Sequence, residues 1–203
     1  MTSKTFALVA APTGFLAYGV IRLIGRAGGH YGPGPSWELA HAADLIGLVL
    51  FVPLVLCLRQ ELRDSRGADL VGSITLVGVG ASIVQIGVDI VSGLVSANKA
   101  EMSTFTGHFS SFPGAELVFY QVGPQLMYVG LLVLSIMLAR VHALPWWSPA
   151  VVLVSVLLPL VSLDLLPISA MGLLAALTPL TARLLRRQAA VVGRTTSRVS
   201  VRD

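Results

Sequence analysis

The 37 residues from Pro149 to Leu185 form one apolar stretch, interrupted near its middle where a charge and a proline coincide, at Asp164 to Pro167. A single helix crossing a bilayer needs only about 20 residues. The stretch therefore reads as a hairpin of two short helices, 149–164 and 167–185, broken where Pro167 cannot continue a helical hydrogen-bond ladder. Four more apolar segments precede it, at about 5–25, 36–58, 70–97 and 116–139. The first is too long for a signal-peptide core and no small-residue cleavage site follows it. Ser36 is placed to cap the second. The third carries Gly72, Gly78, Gly80, Gly87 and Gly93, which suits close helix–helix approach in lipid.

The intervening segments are polar. Arg26 to Pro35 is a glycine- and proline-rich loop, and Arg59 to Asp69 is short and strongly charged. Asn98 to Ala115 reads as a loop containing Phe105, His108, Phe109 and Phe112. The link with Arg140, His142, Pro145, Trp146 and Trp147 suits an interfacial aromatic belt. Only 12% of the chain is charged, about half the share found in soluble domains, and the mean hydropathy is +0.81. The expectation is an all-α, polytopic transmembrane bundle of six helices over 1–187, multi-pass in the cell membrane. A basic, disordered tail over 188–203 follows it. The single cysteine, Cys57, excludes a disulfide within the chain and any paired-cysteine metal or redox motif.

The pI of 9.7 raises nucleic acid as a partner, but the distribution of charge argues against it. Six of the fourteen basic residues fall in the last 21 positions, a juxtamembrane pattern suited to anionic headgroups. With six helices and both termini cytoplasmic, that side carries Lys4, Arg59, Arg63, Arg66, Arg140 and the six tail arginines. This is eleven in all, against Arg22, Arg26 and Lys99 opposite. The positive-inside rule selects that orientation. Five helices would put the amino terminus outside.

Topology then assigns each intramembrane polar residue a depth. Glu38 lies at the outer mouth of the second helix, with His41 and Asp44 about 4.5 and 9 Å deeper on one face. Asp89 lies about 10 Å from the outer end of the third helix, and Gln85 is one turn further in. Glu116, Tyr120, Gln121 and Gln125 cover the same band on the fourth. Asp164 occupies the outer hairpin turn, and Tyr18 and Arg22 the outer half of the first helix. The inner halves are almost purely apolar. A charge at the bilayer centre costs at least about 2.5 kcal/mol, so a polar pocket opening outward is expected, with the loops before the second and fourth helices as its lid. Several members also have structural roles. Glu38 and Glu116 are first-turn acids favoured by the helix dipole. Arg22 can snorkel, and Gln121 and Gln125 can hydrogen-bond between helices. Asp44 and Asp89 stand apart, isolated in AHAADLIGL and QIGVDIVSG.

Such a layer suits acid–base catalysis on a lipophilic, possibly isoprenoid, molecule. Asp44 and Asp89 are the acid pair. Glu38, His41 and Asp164 tune or relay protons, and Tyr18, Gln85, Glu116, Tyr120, Gln121 and Gln125 line the substrate. No cofactor is required. A divalent metal on the run Glu38, His41, Asp44 is a minority alternative, and no aspartate-rich DDxxD-like run supports diphosphate ionisation. Proton-coupled transport and a non-catalytic sensor, partner or structural role are the other readings. The expected partners are a lipophilic small molecule and membrane lipids, with no nucleic acid; a homo-oligomer is allowed.

The runs AHAADLIGLVLFVPLVLCLRQ and QLMYVGLLVLSIMLARVHALPWWSPAVVLVS resemble segments of small multi-pass proteins of high-GC Gram-positive bacteria. That likeness implies a six-helix membrane protein and carries no activity. In gross plan the chain is similar to small membrane terpene cyclases of the meroterpenoid and indole-diterpene type. That second likeness implies protonation of an alkene or epoxide by one acid and collection of the terminal proton by another.

Overall fold

A computed structural model describes residues 3–30, 32–63 and 65–199. Among these residues all regular structure is helical. The elements are α1 (Ser3–Ala27), α2 (Pro35–Glu61), α3 (Ala68–Val95), α4 (Lys99–Ser110), a π-helical segment (Glu116–Val122) that runs into α5 (Gly123–Arg140), α6 (Trp147–Val161), a 3₁₀ turn (Leu163–Leu165) and α7 (Leu166–Val199). Five helical segments are long and apolar enough to cross a membrane: Thr5–Ala27, Pro35–Glu61, Ala68–Val95, Glu116–Arg140 and Leu163–Ala190. The sixth apolar helix, α6, has 15 residues, or about 22 Å of helix.

Local chemistry sets the boundaries. Pro35 opens α2, where a missing N–H removes no bond. Gly67 sits at φ 82° before α3, a left-handed conformation that glycine adopts without steric cost. The break between α6 and α7 spans Ser162 to Leu165, with the Ser162 hydroxyl accepting from the Asp164 N–H.

One expectation is corrected. The segment 98–115 is not only a loop. Asn98 accepts from the Glu101 N–H at 3.0 Å while the Glu101 carboxylate accepts from the Ala97 N–H at 2.8 Å. This reciprocal cap starts α4. The segment expected as a basic tail over 188–203 is entered by α7, which is described through Val199. Arg, Gln and Ala favour helix, and no proline follows Pro179. Residues 200–203 lie outside the described residues.

Six helices close into a ring. α1 packs on α2, α2 on α3, α3 on α5, α5 on α6, α6 on α7, and α7 on α1, with α4 laid against α3. Polar contacts mark the two ends. At one end Asp164 pairs with Arg22 at 2.6 Å and with Arg26. At the other, Arg187 pairs with Glu61 at 3.1 Å, and Arg183 donates to the His142 carbonyl at 3.1 Å. The buried core fills the Glu61 half, where Phe51, Leu54, Leu58, Leu131, Leu134, Leu138, Leu177 and Leu180 are shielded from solvent. The outer faces stay apolar too. Ile24, Leu39, Ile46, Val77, Val129 and Leu160 are exposed, a surface fitting a lipid-facing bundle rather than one in water.

Small residues allow the closest crossings. A Cβ on Gly78 of α3 would stand 2.3 Å from the Met127 nitrogen of α5, and one on Gly130 would stand 2.0 Å from the Thr75 hydroxyl. Gly14 and Gly47 let α1 and α2 meet in the same way. Gly80, two residues beyond Gly78, has nothing within 4 Å of its would-be Cβ. Gly78→Ala is therefore expected to destabilise the protein by about 1–3 kcal/mol, read as a lower unfolding temperature in detergent. Gly80→Ala is expected to be neutral, or stabilising by up to about 1 kcal/mol. Equal effects would mean that the α3–α5 crossing is not tight.

Candidate functional site

α2 delivers His41 and Asp44 to the ring interior one turn apart; they are 3% and 8% exposed. The His41 Nδ1–H donates to the Trp37 carbonyl at 2.8 Å. A carbonyl can only accept, so in neutral His41 the Nε2 lone pair is the one left available. The imidazole is clamped between two rings, stacked on Trp37 at 3.9 Å and edge-on to Tyr18 at 5.3 Å. The Trp37 indole packs into the notch left by Gly93 of α3.

Asp89 of α3 faces the same interior. Asp44 and Asp89 lie close enough to interact electrostatically. Tyr18 of α1 senses both carboxyls, and Tyr128 of α5 senses Asp44. The buried Tyr120 hydroxyl adjoins the Asp89 carboxyl but makes no hydrogen bond of standard geometry. Arg22 acts on Tyr18 and His41 and is also bonded to Asp164. A continuous polar layer thus runs from Asp164 through Arg22, Tyr18 and His41 to Asp44, Asp89 and Tyr120. Three ring helices, the α6–α7 turn and the π segment contribute to it.

Other expected members stand differently. Asp164 is held by two guanidiniums, which tie the α6–α7 turn to α1. Glu116, Gln121 and Gln125 are exposed, and Gln121 donates to Glu116 at 3.0 Å. They do not join the buried pair. The cause is the π segment. Pro124 has no N–H to give to the Tyr120 carbonyl, and Gly123 donates instead to Val118, five residues back. Side chains five apart then stack, which brings Gln121 onto Glu116 rather than inward. Glu38 and Gln85 are half-buried on the same helices as Asp44 and Asp89. The run Glu38, His41, Asp44 does not gather a metal site. Among the described residues no three His, Cys, Asp or Glu side chains are so arranged, and one His41 nitrogen is committed to Trp37.

Tyr128, Trp37 and Lys99 were not singled out from sequence. Tyr128 follows Gln125 by three residues on an apolar helix, a signal that could have marked it.

One opening reaches this layer, and a second lies beside it. A cavity of about 290 Å3 at the Asp164 end has Arg22, Arg26, His30, Lys99, Trp37 and His41 among its walls. An apolar groove of about 460 Å3 between α3 and α4 is lined by Val84, Gly87, Val88, Val91, Phe105, His108, Phe109 and Phe112. The Phe109 ring lies 6.3 Å from the Tyr120 ring, so one wall of the groove touches the residue that adjoins Asp89.

Comparison with protein-family models, curated proteins and solved structures finds no match. What the fold and site define is a class: an all-helical bundle with five helices long and apolar enough to span a membrane, holding an interior carboxyl pair.

Asparagine keeps the shape of each aspartate and removes a buried acid from beside another. Asp44→Asn and Asp89→Asn are therefore expected to leave the unfolding temperature unchanged or raise it, as often holds for groups kept for function. A fall of several degrees in both would make the pair a structural hydrogen-bonding element instead.

Proposed function

We propose that this chain is a multi-pass membrane enzyme that acts on a lipophilic, isoprenoid-like molecule by acid–base chemistry at Asp44 and Asp89. The observation carrying this reading is the meeting of two carboxyls from neighbouring helices inside an apolar bundle, beside an aromatic groove. One carboxyl, protonated, gives its proton to an alkene carbon, whose π electrons form the new C–H bond. The carbocation left behind is attacked by a second alkene of the same chain. The other carboxylate takes the terminal proton, so the product is an isomer of the substrate. Phe105, Phe109 and Phe112 offer ring faces that would stabilise positive charge along the chain. Proton-coupled transport fits less well, because Phe51, Leu54, Leu58, Leu131, Leu134 and Leu138 close the Glu61 half without a polar path.

The test is incubation of the purified protein in D2O with farnesyl and geranylgeranyl alcohols and their terminal epoxides. An alkene-initiated reaction leaves one deuterium on carbon in a cyclised isomer. Asp44→Asn and Asp89→Asn are each expected to slow its formation by at least about a hundredfold. Product formed equally by both variants would remove the pair from the chemistry.

The reading includes six crossings with both termini cytoplasmic. α6 supports the count, since its start adjoins the His142 link held by Arg183 and its end meets the Asp164 turn. The polar ends of the bundle are thus joined by α6 as well as by the longer helices. A reporter active only in the cytoplasm should work at either terminus. Activity at the carboxyl terminus alone would leave five crossings.

A further inference from the structure

The basic cavity at the Asp164 end is followed, one helical turn along the seam between α1 and α2, by an apolar groove. That groove, of about 490 Å3, is lined by Phe6, Val9, Thr13 and Ala17 of α1 and by Ala43 and Ile46 of α2, among others. The cavity begins one turn further on at Ile21 and Ala40. Steps of four residues on α1 and three on α2 keep both on one helix face. The groove is shallow-walled because Gly14 lies against Gly47 and the neighbours Ala10, Ala17 and Ala43 are small.

The charge of the cavity is one-sided. Arg22 and Arg26 share a single oxygen of Asp164, so these three groups sum to one positive charge, and Lys99 adds a second. Glu101, the nearest acid on α4, is engaged in capping that helix. The N-terminus of α2 also opens here, at Ser36 and Trp37, with no side chain capping its first-turn N–H groups. Its dipole adds to the positive potential, offset in part by the first-turn acid Glu38, which does not line the cavity. A positively charged chamber at the membrane-surface end of an apolar slot is complementary to a molecule that is anionic at one end and aliphatic at the other.

We propose that the α1–α2 seam binds an anionic phospholipid of the surrounding bilayer, its phosphate in the cavity and one acyl chain in the groove. Several phosphate oxygens can accept from two guanidiniums and an ammonium together, which a neutral or zwitterionic headgroup exploits less well. The proposal requires a membrane setting but does not depend on acid–base chemistry at Asp44 and Asp89.

The experiment is native mass spectrometry of the full chain in detergent, titrated with phosphatidylglycerol, with phosphatidylcholine of the same chains, and with inorganic phosphate as competitor. One phosphatidylglycerol is expected to bind at least about tenfold more tightly than phosphatidylcholine. Removing one charge-assisted contact by Lys99→Gln or Arg26→Gln is expected to weaken it about tenfold. Thr13→Leu, which fills the groove without touching the cavity, is expected to weaken it as well. Lys99 is exposed, so Lys99→Gln serves even if Arg26→Gln disturbs the α1–α7 tie. Equal binding of the two lipids, unaffected by the variants, would reduce the seam to ordinary boundary-lipid contact and overturn the proposal. Displacement of the lipid by inorganic phosphate would reassign the cavity to a soluble anion and overturn it too. Loss of lipid binding with the deuterium-labelled product intact would separate this site from the acid pair.

Discussion

The closure of the ring depends on one carboxylate held by two guanidiniums. Asp164 sits in the turn between α6 and α7, and Arg22 and Arg26 lie one turn apart on α1. Their pairing joins the last hairpin to the first helix. An isolated surface ion pair contributes little to stability. Here two donors four residues apart fix both the position and the direction of α1 relative to α7. Arg22 is thereby held over Tyr18 and His41, and the polar layer below inherits its order from that contact.

The two halves of the bundle divide the work. The Glu61 half is packed with apolar side chains and, among polar groups, small hydroxyls, and Phe15 stacks on Phe51 at 4.8 Å within the core. Thr75, Ser82 and Ser92 of α3 and Ser135 of α5 are buried and return their hydrogen bonds to their own helices, so they admit close approach without leaving a donor unmet. Ser169 goes further and donates to the Ser155 carbonyl across the α6–α7 contact at 2.6 Å. That rigid half supports a layer that is expensive by composition: two carboxyls, an imidazole and three phenols in an apolar interior. Groups held so close are precise only when the elements carrying them cannot slide, and the glycine contacts between α3 and α5 supply that constraint.

Much of this was legible in the residues. Asp44 and Asp89 were visible as lone acids in apolar runs, and helical depth alone put them in one layer. The Ser162–Leu165 break followed from a charge beside a proline. The remainder needed information that periodicity does not carry. Arg22 and Asp164 are 142 residues apart, and nothing local says that a snorkelling arginine and a turn aspartate will meet. The π segment turns on the missing N–H of Pro124, which shifts the register of Glu116 and Gln121 and turns them outward. The helix α4 was within reach, since Asn98 followed three residues later by Glu101 is a capping pattern; its polar composition hid it.

The electrostatic arrangement has a direction as well as a location. α2 starts at the Asp164 end, so the positive end of its dipole adds to Arg22, Arg26 and Lys99 there. Moving inward along the same helix, the sign changes at Asp44, which Asp89 of α3 joins from the neighbouring helix. The nearest neutral neighbours are then ring faces, Tyr18 and Tyr120 within the layer and Phe109 at its edge, which favour positive charge. An anionic group is favoured at the mouth, and a cation is favoured about 10 Å deeper along the same helix. A chain carrying negative charge at one end and developing positive charge along its length would be oriented the same way by both fields. A cation entering from the Asp164 end would be opposed by the first before it reached the second. That ordering sets a lipid-like anion apart from a free metal or ammonium ion as the kind of molecule the arrangement suits.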